Sequence, residues 1–304
     1  MRNLAILLGC IFFSLSAFAD PAANKGASGK KASFSGGGSS DIKNSNNQVG
    51  IQSISTNVNY TEIGTGEYGS SLGTLDTETG VVAGRGCYFS AMNDALFGND
   101  YFKATYDQST GYTNYIGANL NLPNGTPGPY GSLTSTSGAI LTNYSARYGK
   151  GFDLRGANML TPFIEFGSHR WDRGVNYGET YSNLYYGYGL MSQYSYANGL
   201  VLSVEAMYGR TTQSAIVVTS SPAGTPPAAQ LIGFSGALGN SDLFKVGISF
   251  DYALIQRLHV NMGIDYSAFN YGISGLYPSG SAYAFEPDSK TNYITLRFGL
   301  GWGF

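Results

Sequence analysis

Cysteine is nearly absent: the chain of 304 residues holds two, Cys10 and Cys87. Cys10 lies in an N-terminal apolar stretch, so Cys87 is the one thiol expected in the mature chain, which excludes an internal disulfide framework. Nothing beside Cys87 marks it as a nucleophile or metal ligand. Long apolar runs are missing as well. Beyond the leader no stretch approaches ~18 consecutive apolar residues, which excludes a membrane-spanning helix. Charge is scarce, at 12% of residues, and the net value of -2 argues against a nucleic-acid partner. Histidine is limited to His169 and His259, and no metal-ligand spacing or phosphate-binding glycine loop stands out, so no cofactor is expected.

What the chain has is glycine and tyrosine, 43 and 24 residues. That composition suits many strands with aromatic girdles and small side chains packed inside. The first residues carry Arg2, an apolar run from Leu4 to Phe13, and Ala17-Phe18-Ala19 before Asp20. They read as a secretory signal peptide, 1-19, cleaved near Ala19. Leu7-Leu8-Gly9-Cys10 is also similar to a lipobox, the alternative processing. Residues 20-47, rich in Gly, Ser, Asn and Lys, are expected to be a flexible periplasmic segment. Residues 48-304 are expected to form the folded domain.

The last twelve residues, YITLRFGLGWGF, alternate with a period of two. Ile294, Leu296, Phe298, Leu300, Trp302 and Phe304 share one face; Tyr293, Thr295, Arg297, Gly299, Gly301 and Gly303 share the other. A strand with one large apolar face and one small or polar face fits a membrane barrel, with the apolar side toward lipid. The same parity recurs in earlier segments, including Leu184 to Leu190, Phe244 to Tyr252 and Leu258 to Tyr266. It is less regular in Ile54 to Ile63 and Thr74 to Met92. Short links near 93-100, 149-158, 195-199 and 253-257 alternate with longer ones at 108-137, 168-180, 209-240 and 270-290. The reading is an all-β transmembrane antiparallel up-and-down β-barrel of about ten strands, with eight or twelve as alternatives. Its last strand must pair with the first near Ile54 to hide both edges.

The signal, the strand series and the ending LRFGLGWGF resemble bacterial outer-membrane β-barrel proteins. The resemblance implies a Gram-negative outer membrane and an assembly signal at Phe298, Leu300, Trp302 and Phe304. It also implies outer-membrane lipids and the assembly machinery as partners. Segments such as LTPFIEFGSHRW are similar to those of small integral outer-membrane proteins.

Most strand charges fall on the inward parity: Lys103, Asp107, Arg147, Glu165, Glu205, Lys245, Asp251, Asp265 and Arg297. Both signs are present in similar number, which predicts a network of ion pairs filling the lumen. Phe163, Tyr185, Met191, Met207 and Phe269 share that face and add bulk. The second strand holds a conflict. Turning Arg85 inward turns Cys87 inward and sends Val82, Gly84, Gly86 and Tyr88 to lipid; the opposite choice puts a cation in hydrocarbon, unless a bulge near Gly84 or Gly86 intervenes.

Catalysis is disfavoured. Omptin proteases place an Asp-x-His pair and an aspartate pair at the outer rim, whereas His169, read as a rim residue, has Gly167 two positions before it. Outer-membrane phospholipases carry a His-x-Ser-type motif, which HVN at His259 does not reproduce. Asp76 and Glu78 fall short of a calcium loop. The expectation is a non-enzymatic integral outer-membrane protein with a largely side-chain-filled lumen and a structural or surface-exposed role. A narrow porin is the first alternative. An adhesin reaching host or surface ligands through its long outer loops is the second.

Overall fold

A computed structural model describes residues 38-69, 72-118, 128-154, 156-196, 199-225, 232-279 and 282-304. The expected signal peptide and residues 20-37 of the lead lie outside the described residues.

Alternation at period two gives ten long strands. They are β1 (Gln48–Gly64), β2 (Gly73–Asn93), β3 (Asp100–Gly117), β4 (Leu133–Lys150) and β5 (Asn158–Arg173). The other five are β6 (Glu179–Ser195), β7 (Leu200–Val218), β8 (Asp242–Ala253), β9 (Leu258–Tyr271) and β10 (Asp288–Gly303). Each pairs antiparallel with its sequence neighbour, and β10 pairs back onto β1 from Gln48↔Gly303 to Ile63↔Asp288. The sheet closes into a barrel, so no edge of the wall stays unpaired. Ile54 sits opposite Arg297, as closure near Ile54 required.

Outward positions of β4 to β10 are exposed and apolar: Ile164, Phe166, Leu184, Tyr186, Ile248, Phe250, Ile264 and Leu296 are examples. Phe298, Leu300, Trp302 and Phe304 lie on the same exterior, and Phe304 stacks on Phe89 of β2 at 5.5 Å. The inward positions are buried, among them Phe163, Tyr185, Met191, Met207 and Phe269. A closed wall with this polarity satisfies every ladder hydrogen bond within the sheet, which is what hydrocarbon demands of a spanning structure. Among the described residues no helix is long and apolar enough to cross a membrane.

The glycine face of the last strand has a packing reason. A Cβ at Gly301 would lie 1.8 Å from Gln48 Oε1 and 2.5 Å from the Tyr88 hydroxyl, so the missing side chain makes room for that polar pair. Gly86 does the same for Asp107 Oδ1, 1.9 Å from where its Cβ would stand.

Three expectations need correction. The strands run further than the apolar alternation: β3 continues to Gly117, and the link expected over 168-180 shrinks to 174-178. Backbone pairing does not stop where lipid contact stops, so polar residues carry the ladder beyond the apolar zone. Second, residues 39-46 of the expected flexible segment form helix α1 (Ser39–Asn46). Ser and Asn are poor helix formers, so its packing, not its propensity, holds it. Third, β2 passes Gly84 and Gly86 without a bulge; its one irregularity against β1 falls at Glu62/Ile63.

Candidate functional site: the lumen and its two closures

The terminal end of the barrel, where β1 begins and β10 ends, is filled by α1. Ile42 is the sole apolar residue between Phe34 and Val49, and it is fully buried. Around it the helix is tied to the wall. Asn46 donates to Gln193 Oε1 at 2.8 Å, Ser195 donates to Asp41 at 3.0 Å, and Lys43 pairs with Asp94 at 3.1 Å. The backbone N–H of Asn99, then Lys43, hold the Asp94 carboxyl below its usual range. Just beyond the helix, Asn47 accepts from Met92 N at 2.6 Å and donates to Met92 O at 3.1 Å.

The middle of the lumen is a ladder of charges supplied by facing strands. Arg147 of β4 reaches Glu205 of β7 through Nη1 at 2.7 Å and Nη2 at 2.9 Å, and Glu165 of β5 through Nε at 2.9 Å. Its guanidinium also lies over the Phe163 ring, 3.8 Å from the centroid. Lys245 of β8 donates to the other Glu165 oxygen at 2.7 Å and to Tyr185 at 2.9 Å, while Tyr185 donates to Glu165 at 3.0 Å. Arg297 pairs with Asp265, Gln52 donates to Asp107 at 2.6 Å, and Asp251 lies 2.7 Å from His259 Nδ1. Lys103 projects between two cavities, of about 140 Å³ and about 90 Å³, whose walls share Lys103, Glu205, Asp265 and Arg297. All nine charges expected inward therefore face the lumen.

The far end is closed by a cluster that the sequence reading did not assemble. Arg173, at the end of β5, is buried and pairs with Glu78 at 2.7 Å, Glu179 at 3.4 Å and Asp76 at 3.7 Å. Tyr60, Trp171 and Tyr181 surround its guanidinium. The link from β9 to β10 folds back over them. Within it Glu286 accepts hydrogen bonds from the Tyr60 hydroxyl at 3.2 Å and from Tyr181, and its backbone is pinned to Ser274 by bonds at 2.7 and 2.8 Å. Burial, then the charge of Glu179, push the Glu286 carboxyl up to about 8. The signal available in the sequence was parity: Asp76, Glu78 and Arg173 all have the inward phase of their strands.

Both histidines are buried and engaged. His169 is an inward residue and not a rim residue, a correction that follows from the extension of β5. Its Nδ1 lies 2.6 Å from Asn143 Oδ1 and its Nε2 lies 3.1 Å from the Tyr293 hydroxyl. The outer pair beside it is Arg170 and Asp172, joined at 2.6 Å.

The exterior has one anomaly. Arg85 and Cys87 both face outward, so the conflict in β2 resolves with the cation on the lipid side and Val82, Gly84, Gly86 and Tyr88 inside. The Arg85 side chain is exposed and enters no ion pair or side-chain hydrogen bond among the described residues. An Arg facing hydrocarbon at the midplane costs about 2–4 kcal/mol. Its neighbours are polar too: the outward positions of β1 from Ser53 run Ser53, Ser55, Asn57, Asn59 and Thr61.

No family model matches the chain, and no curated protein matches it. Among solved structures it is similar to the outer membrane protease OmpT from Escherichia coli, with a TM-score of 0.56 and 11% identity over 84% of this chain and 95% of that one. Weaker similarities are to Neisserial surface protein A, at a TM-score of 0.33 and 8% identity over 84% of this chain and 97% of that one. The translocator domain of the autotransporter NalP from Neisseria meningitidis gives 0.37 and 12% over 88% and 92%. At 11% identity the likeness to OmpT is one of fold.

Proposed function

We propose that this chain is an integral outer-membrane β-barrel, closed at rest, with a structural or surface role. In this reading the terminal end faces the periplasm and the far end faces outward. The observation that carries it is the occupied lumen: α1 fills one mouth, the Arg147–Glu165–Glu205–Lys245 network crosses the middle, and the Glu286 segment covers the other mouth. Filling of small barrels by side chains is the physical norm, an aqueous channel becoming natural at about sixteen strands. Planar-bilayer recordings on the folded, full-length protein test this. Silence is the expected result, and steady unitary conductance would sink the closed-barrel reading.

A gated narrow channel is the second reading, supported by the two stacked cavities that meet at Lys103, Glu205, Asp265 and Arg297. A ring of both signs at a constriction is a selectivity device when the mouths open. Deleting residues 39-46 discriminates: conductance appearing only in the deleted protein supports the gate.

A further inference from the structure

The outer surface of β1, β2, β3 and β10 carries a groove of about 910 Å³. Its floor is low because the outward side chains there, Ser53 and Ala83, are small. The groove is amphipathic along the barrel axis. Ile51, Tyr106 and Leu300 line the half nearer the terminal end, and Phe298, opposite Ser53, borders the boundary between the two halves. Ser53, Arg85, Gln108 and Thr110 line the half nearer the far end. Arg85 is the cation of this lining, and no carboxylate belongs to it.

Strand register sets Arg85 opposite Gln108, Gln108 opposite Thr142, and Thr142 opposite Arg170, so a polar row runs from the groove toward the rim. An exposed Arg among neutral donors calls for an anion with its own acceptor oxygens, and a guanidinium fork matches phosphate. The polarity gradient fixes the orientation of an occupant, with its charged group toward the far end and its apolar part toward the bilayer centre. An outer-leaflet lipid has that polarity. A second copy of the chain would bring another Arg85 against the first.

We infer that this groove is a binding site for a net-anionic phosphate lipid of the outer leaflet, with the phosphate on Arg85 and an acyl chain along Ile51 and Leu300. The inference rests on the membrane orientation proposed above. Long side chains such as Arg reach toward the headgroup layer from within the apolar zone, which brings the guanidinium to the phosphate.

The test is native mass spectrometry of the full-length protein released from mixed micelles holding equal dioleoyl phosphatidylglycerol and dioleoyl phosphatidylcholine. Wild type is expected to retain phosphatidylglycerol about tenfold over phosphatidylcholine, because the choline cation of the latter offsets its phosphate and repels the guanidinium. Arg85→Gln should bring that ratio close to one, Arg85→Lys should keep part of it, and Ser53→Trp, which fills the groove and spares the charge, should also lose it. An undiminished preference in Arg85→Gln would overturn the site, as would no preference in wild type. An Arg85-dependent dimer, or a co-purifying polypeptide, would assign the groove to a protein and overturn the lipid. Heat-modifiable gel mobility of each variant reports barrel folding separately, so a failure of the membrane-barrel reading is visible as such.

Discussion

Arg147 binds Glu205 through two parallel hydrogen bonds, 2.7 and 2.9 Å, from strands that are not neighbours: β5 and β6 lie between them in the wall. The pair therefore spans lumen space. It makes the filling of the barrel a cross-brace as well as a plug, because the same guanidinium also holds Glu165.

Removing that brace should be costly. Arg147→Ala leaves the buried Glu165 and the part-buried Glu205 without their guanidinium, and loss of one partner of a buried pair typically costs about 3–5 kcal/mol. Urea unfolding in micelles should show that loss. The triple replacement Arg147→Met, Glu165→Leu, Glu205→Leu should recover most of it, since apolar residues of similar volume replace buried pairs at little cost. Equal stability of wild type and Arg147→Ala would mean the network adds nothing.

The outer closure should weaken with alkali. Burial, with the charge of Glu179, pushes the native Glu286 carboxyl up to about 8, above the usual ~4.3 of an unfolded glutamate. The folded segment thus holds a proton that the released segment gives up. Its stabilisation is full below the unfolded value and is lost as pH rises through the folded value. Hydrogen exchange over residues 272-287, corrected for intrinsic rate, should be slow at pH 6 and fast at pH 9. In Glu286→Gln the change of protection with pH should shrink, the remainder coming from Glu62, Asp76 and Glu179, whose carboxyls burial also pushes up; a wild-type-like pH response in that variant would refute the role of Glu286.

Ile42→Asp should release α1. Ile42 is the helix's buried apolar anchor, and a carboxylate there would lose its hydration on docking. Added protease should then cut near residues 39-46 in the folded variant and spare wild type. Cleavage at the same rate in both would show that the helix is held by its polar ties alone.

Phe304 stacks on Phe89, at the seam where β10 meets β1 and β2 follows. Phe304→Asp is expected to lower the amount of heat-modifiable barrel in membranes several-fold before any other property changes. Normal surface levels of folded protein would rule out Phe304 as an assembly signal.

The wall was legible where lipid dictates side-chain choice. Leu184 to Leu190, Phe244 to Tyr252 and Ile294 to Phe304 announce their outward phase because nothing polar is tolerated there. Residues 108-117 of β3 and 168-173 of β5 were read as link because beyond the apolar zone the ladder continues with no hydrophobic period to betray it. Helix α1 was hidden for a related reason: one isoleucine in a run of Ser, Asn and Gly makes no periodic pattern, and its partners at Gln193, Ser195 and Asp94 lie far along the chain. Arg85 broke the parity rule on the lipid side itself. The charged ladder was visible one residue at a time by parity, but which charge meets which depends on the curvature of the closed wall.

The β1 to β10 ladder joins Gln48 to Gly303, almost the full length of the described chain. Its contacts carry the largest loop-closure entropy in the molecule, and none of it is offset until the last strand is on hand. A wall that lacks β10 is left with two unpaired borders, on β1 and on β9, so the last strand to leave synthesis is the one that removes both.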